Sequence, residues 1–252
     1  LIGLSKNINK IFLIKMIKRA IILAGGKGTR LRPYTKVFPK PMMPIGKFII
    51  LEIVIKQLKF YGFKHITISV GHQANLIKAF FGNGSKYKIS IDYSLEKKPL
   101  GTMGPLKIIK DLPQNFLVLN GDVLTDLNFD KFYNYHIKKK NLFSISSYLR
   151  NEMIDYGLLE TNKKDSLVKF LEKPKRNFNV SMGIYMLNKD VLKYIPNKKF
   201  FGFDNLMIKL LKLKKKIKVK KHTGYWQDIG RPSDYLLATE EFKKMKKKLL
   251  HD

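Results

Sequence analysis

The sequence contains no cysteine, which excludes disulfides and thiolate metal sites and fits a reducing compartment. It is also poor in acid: 19 Asp and Glu stand against 50 Lys and Arg, for a formal net charge of +31. Arginine is scarce among those cations, lysine is spread through nearly every segment, and no basic stripe interleaved with aromatics appears. That distribution predicts non-specific adhesion to polyanions at low salt rather than specific nucleic-acid recognition, which is kept as the alternative from another class. No apolar run approaches the roughly 20 residues of a membrane span, and residues 11–14 are too few for a signal h-region. The chain therefore reads as cytoplasmic. The five histidines, His65, His72, His136, His222 and His251, lack ligand spacing and read as surface or loop residues, not zinc ligands.

What is present suffices for one substantial core: 252 residues, 44% of them hydrophobic. Residues 17–252 read as one domain. Residues 1–16 read as an N-terminal extension, because they precede the first core strand and begin without Met, the first being Met16. The most informative stretch runs from Ile21 to Pro44. A bulky apolar run, residues 20–24, stops at Gly25-Gly26, as a buried parallel strand does on entering a loop. Gly25, Gly26 and Gly28 lack a Cβ, so successive N–H groups can turn inward on a polyphosphate. Lys27, Arg30, Arg32, Lys36 and Lys40 surround the loop, and Lys40, between Pro39 and Pro41, sits on a stiff segment. A P-loop is excluded because position 21 is Ile and Gly26-Lys27 is followed by Gly28; a dinucleotide fingerprint fails at Leu31.

Periodicity gives alternating strands and helices. Residues 65–70, 89–94, 115–120, 142–149 and 180–187 read as strands, with 157–160 and 167–172 as a hairpin and 217–221 and 225–229 as short strands. Helices are expected at 49–61, 75–81, 101–110, 129–139, 205–212 with Asp204 as N-cap, and from Pro232 to about Leu250. In the last of these, Leu236, Phe242, Met245 and Leu249 recur at roughly helical spacing. This order implies a doubly wound α/β fold with a mostly parallel central sheet.

The blocks LAGGKGTRLRP and FPKP, then PLGTMGPL, LNGDVL, EKP, SMGIY and YWQDIGRPSDY, resemble in order and spacing the sugar-1-phosphate nucleotidyltransferases. GDP-mannose pyrophosphorylase-like members without a C-terminal β-helix are the most similar. The resemblance implies a single-domain, three-layer, Rossmann-like nucleotidyltransferase fold. The implied reaction is attack of a sugar 1-phosphate on the α-phosphorus of a nucleoside triphosphate, dependent on Mg²⁺, giving an NDP-sugar and pyrophosphate. GTP and mannose 1-phosphate are the first choice, with another nucleotide or heptose or glucose 1-phosphate as alternatives. A catalytically silent regulatory relative is disfavoured because Arg30, Lys40, Asp122, Lys173 and Asp228 are all present.

Those five residues carry the implied catalytic roles. Arg30 would steady the departing pyrophosphate, Lys40 would complete the phosphate clamp, and Asp122 and Asp228 would hold Mg²⁺. Lys173 would hold the sugar phosphate beside Glu172, with Pro174 bending the chain so that both reach the ligand. Gly121, Gly157, Gly183 and Ser181, which stands where members often carry asparagine, complete the implied sugar-phosphate set. The implied nucleotide set is Leu23, Ala24, Gly25, Gly26, Gly28, Thr29, Arg30, Glu96, Pro99, Gly101 and Thr102. Glu96 falls where members place a residue facing the base edge, and its carboxylate can accept from guanine N1–H and N2–H₂ while repelling the O4 edge of a pyrimidine such as thymine. A homo-oligomer is allowed.

Overall fold

The computed structural model describes residues 17–251, so the expected extension at 1–16 lies outside the described residues. Its centre is built from the apolar runs. β1 (Arg19–Ala24), β4 (His65–Val70), β5 (Ser90–Leu95) and β6 (Asn115–Asn120) lie side by side in the order β6-β1-β4-β5, all parallel. Ile21 and Val118 face one side and Ile22 and Leu119 the other, each fully buried or nearly so, because strand side chains alternate across the sheet. The chain moves outward from β1 to β5 and then returns to the opposite flank of β1 as β6. That reversal creates a switch point at the carboxyl ends of β1 and β6, where open α/β sheets bind ligands.

The sheet continues through β11 (Lys175–Asn188), β8 (Phe143–Met153) and β12 (Ile217–His222) to seven strands. Both β8 and β11 extend beyond the expected 142–149 and 180–187. In this sheet β11 alone runs against its neighbours. The chain between β8 and β11 is only a hairpin, with no crossover helix, and strands joined that way pair antiparallel. Their outer ends form an arm with β9 (Leu158–Thr161) and β10 (Leu167–Leu171), the expected hairpin. Leu149, Met153, Tyr156, Leu159, Phe170 and Phe178 are exposed on this arm.

Helices α1 (Ile50–Phe60), α2 (Ala74–Phe81) and α3 (Phe129–Lys138) bury Leu51, Val54, Leu58, Ile77, Phe81 and Phe132 against the Ile22 face. α4 (Phe203–Lys212) buries Leu206 and Leu210 against the Ile21 face, completing three layers. The last helix, α5 (Pro232–Leu250), starts at Pro232 as expected but packs Ala238, Phe242 and Leu249 with Ile50 and Ile53 of α1 in a third cluster; Leu236 is exposed, off the docked face.

Three local expectations are corrected. Residues 101–110 form only one 3₁₀ turn, Gly104–Lys107. The N–H groups of Met103 and Gly104 donate to Phe201 O, 3.0 Å each, instead of entering a helix. Gly202, not Asp204, precedes the first residue of α4, and Asp204 lies in its first turn. His136 is fully buried on α3, its ring between Ser144 Oγ (2.9 Å) and Asn115 Oδ1 (3.2 Å), so it is a core histidine.

Candidate active site

Past the end of β1 the chain passes through Gly25 and Gly26 to Gly28, whose φ of +60° is in the left-handed region that suits glycine. A Cβ on Gly28 would stand 3.0 Å from Thr35 Cγ2 and 3.2 Å from Lys40 Cβ. A side chain at position 28 would crowd the contact between the loop and the Lys40 segment. Thr35 Oγ1 donates to Gly28 O at 2.8 Å and locks the approach. Arg30 follows on the short turn Thr29–Leu31, and Lys40 opens the turn Lys40–Met42, stiffened by Pro41. Gly121 N donates to Leu23 O at 3.0 Å, closing the ends of β1 and β6 against each other.

Asp122 follows Gly121. β7 (Val123–Thr125) comes next, a strand too short to be legible in sequence, and it pairs with β13 (Trp226–Asp228) so that Asp228 opposes Val123. Ile229 N donates to Asp122 O at 3.1 Å, while Thr125 Oγ1 donates to Tyr225 O at 2.7 Å. Gln57 of α1, buried, donates to Thr125 O at 2.7 Å and fixes this two-stranded sheet from behind. The two carboxylates implied by the resemblance are thus neighbours. Asp122 Oδ2 is ion-paired with Lys40 Nζ, and Asp122 Oδ1 is buried with no hydrogen-bond partner in the structure. Burial pushes the Asp228 carboxyl above the usual range; Asp122 adds to this, and Lys40 and Arg30 oppose it. A Cβ on Gly230 would lie 3.4 Å from Asp228 Oδ2 and 3.7 Å from Arg30 Nη1, so Arg30 and Asp228 share that glycine as a wall.

An open cleft of about 440 Å³ extends from this cluster, and all eleven residues of the nucleotide set line it, as do Lys40 and Asp122. Pro41, Asn120, Phe200 and Gly230 line it too, though sequence reasoning did not single them out as site residues. Asn120 stood within the LNGDVL block; Phe200 carried no local signal. Also lining the cleft, Glu96 is half-buried against Gly25, where a Cβ would come within 2.4 Å of Glu96 Oε1. Ser69 Oγ donates to Oε1 (3.0 Å) and Leu100 N to Oε2 (3.1 Å), so the carboxylate is held in one orientation. Burial raises its pKa, and those two hydrogen bonds oppose the rise.

The sugar-phosphate set divides between two places. Gly121, Ser181 and Gly183 lie around β6 and β11: Gly183 has φ +73°, and a Cβ there would be 2.6 Å from Asn120 Nδ2. Ser181 Oγ donates to Tyr185 Oη at 3.1 Å and accepts from Gly183 N at 3.3 Å. Gly157, Glu172 and Lys173 stand on the arm, where a Cβ on Gly157 would lie 3.3 Å from Glu172 Oε2. The expected bend in Glu172-Lys173-Pro174 falls on Lys173 itself, with φ +41°. Among the described residues no group of three or more His, Cys, Asp or Glu could hold a metal ion, and no helix is long and apolar enough to cross a membrane.

Fold and cleft together define an open-sheet α/β protein whose glycine-lined cleft lies at the switch point, beside Arg30, Lys40 and Asp122. Residues 19–245 match the family model described as nucleotidyl transferase, and the chain belongs to that family. A D-glycero-alpha-D-manno-heptose 1-phosphate guanylyltransferase of Campylobacter jejuni is 35% identical, covering 86% of this chain and 96% of its own. A UTP–glucose-1-phosphate uridylyltransferase of Synechocystis is 32% identical over 87% of this chain, which spans 62% of that relative's length. Among solved structures, HddC from Yersinia pseudotuberculosis superposes with a TM-score of 0.70 at 28% identity, covering 90% of this chain and 100% of HddC, and has also been crystallised with GMP-PN.

Proposed function

We propose that this protein transfers a guanylyl group from GTP to a manno-configured sugar 1-phosphate, mannose 1-phosphate or a heptose counterpart, releasing pyrophosphate. The carrying observation is the meeting of Asp122 and Asp228 through the β7–β13 pair, beside Lys40 and Arg30, at one end of a cleft lined by a glycine loop. The reaction requires little proton chemistry. It needs two anions held together, the attacking and leaving oxygens aligned, and charge stabilised on the pyrophosphate. Arg30 and Lys40 supply fixed cations on stiff segments, and the Gly25–Gly28 backbone cradles the phosphates. Lys173 and Glu172 on the arm engage the sugar phosphate. A guanylyltransferase relative and a neighbour crystallised with GMP-PN support the choice of base, as does the acceptor character of Glu96.

The donor set fits Mg²⁺: two hard carboxylates, one with an unpartnered buried oxygen, leave the remaining positions to substrate phosphates and water. Asp122 and Asp228 would hold the ion, which when bound neutralises phosphate charge. The decisive experiment incubates the protein with five nucleoside triphosphates and mannose, heptose and glucose 1-phosphates, reading products by mass. GDP-mannose or a GDP-heptose is expected, and Asp122→Asn and Asp228→Asn should each lower kcat at least about hundredfold with the melting temperature kept. Absence of any NDP-sugar, or wild-type rates in either variant at limiting Mg²⁺, overturns the assignment.

A further inference from the structure

Phe200 is 68% exposed and lines the nucleotide cleft. Its neighbours explain how it is mounted. Phe201 N donates to Leu100 O at 2.8 Å, Phe201 O accepts from Met103 and Gly104, and Phe203 N donates to Thr102 Oγ1 at 2.7 Å. Gly101, with φ +79°, allows this docking, since a Cβ there would be 2.8 Å from Phe201 O. Phe201 and Phe203 pack into the core on the Ile21 face of the sheet, leaving Phe200 as the outward member of an anchored backbone. The loop on which it docks is the one that carries Glu96, Pro99, Gly101 and Thr102 into the cleft.

We propose that Phe200 stacks on the base of the bound nucleoside triphosphate, setting affinity for the nucleotide while Glu96 selects among bases. This rests on the nucleotidyl-transfer reading. Every base has a π-face, so stacking adds binding for all of them, more for the larger purines, whereas a carboxylate distinguishes donor from acceptor edges. A phenyl ring whose backbone is already fixed loses little freedom when the base arrives. It touches no reacting atom, so its effect belongs in nucleotide binding and not in turnover.

The test compares Phe200→Ala, Phe200→Leu and Phe200→Trp with the wild type. Removing the ring should weaken GTP binding by calorimetry, and raise the KM for GTP and ATP, by about tenfold. UTP should suffer less, with kcat, the KM for the sugar phosphate and the melting temperature unchanged. Phe200→Leu should not rescue binding. Phe200→Trp should, with indole fluorescence quenched by GTP beyond the response of the single native Trp226. Wild-type GTP affinity in Phe200→Ala overturns the inference while leaving nucleotidyl transfer intact, and so does a loss spread equally over both substrates with a lowered melting temperature. If the wild type forms no NDP-sugar yet GTP binding depends on the ring, the transfer reading falls and the stacking role stands.

Discussion

Glu96, proposed to select the base, is held in one orientation. Two protein donors fix its carboxylate, and Gly25 lets it lie against the phosphate loop, so acceptor lone pairs remain for an incoming base. Glu96→Gln should lower kcat/KM for GTP by about 2 to 4 kcal/mol, since one charge-assisted bond is lost and an amide NH₂ faces a donor. Use of UTP or dTTP should hold or rise; an equal loss across all five triphosphates would remove Glu96 from base reading. His136 makes a different prediction. Burial lowers its pKa to about 4 from 6.5, so its contribution is intact above pH 6.5 and lost progressively as pH falls toward 4. Unfolding free energy should drop by about 3 kcal/mol over that window from this residue alone. Urea titrations of wild type and His136→Gln at matched pH values check it, the variant showing the shallower decline. That these eleven residues line one cleft was legible because they lie on two local stretches, residues 23–30 and 96–102. His136 was not, since a single histidine carries no sign of whether its helix face is buried.

At the scale of elements, runs such as NFLVLN and HITISV declared buried strands by their bulk and the residues that end them. Elements fixed by distant partners stayed hidden. β7 exists through its pairing with β13, and the turn at Gly104–Lys107 replaces the expected helix because its N–H groups find Phe201. The arm illustrates both cases: its hairpin was legible from the turn between two apolar runs, yet the length of β8 and β11 was not, since their outer residues are exposed on both faces. Lys173 on this arm is predicted to act on one substrate. Lys173→Ala should raise the KM for the sugar phosphate about tenfold to a hundredfold, the scale of a charge-assisted bond, with the KM for GTP little changed. A change confined to the nucleotide would remove the arm from sugar-phosphate recognition.

The whole molecule carries a net charge of +31, with lysines in nearly every segment of the chain. Binding to DNA of unrelated sequences at low salt should therefore be measurable by filter retention, and should fade steeply by physiological ionic strength. A sequence-selective complex that survives physiological salt would restore nucleic-acid recognition as a function. The β7–β13 pair has a further consequence in the time domain of synthesis. Thr125 and Tyr225, bonded in the finished protein, are 100 residues apart in the chain, so the contact that aligns Asp228 with Asp122 is among those whose loop closure is costly. At about 5–20 residues per second on the ribosome, the glycine loop, Glu96 and Asp122 emerge at least several seconds before Asp228. The carboxylate pair is complete only once β13, the last strand, has been made.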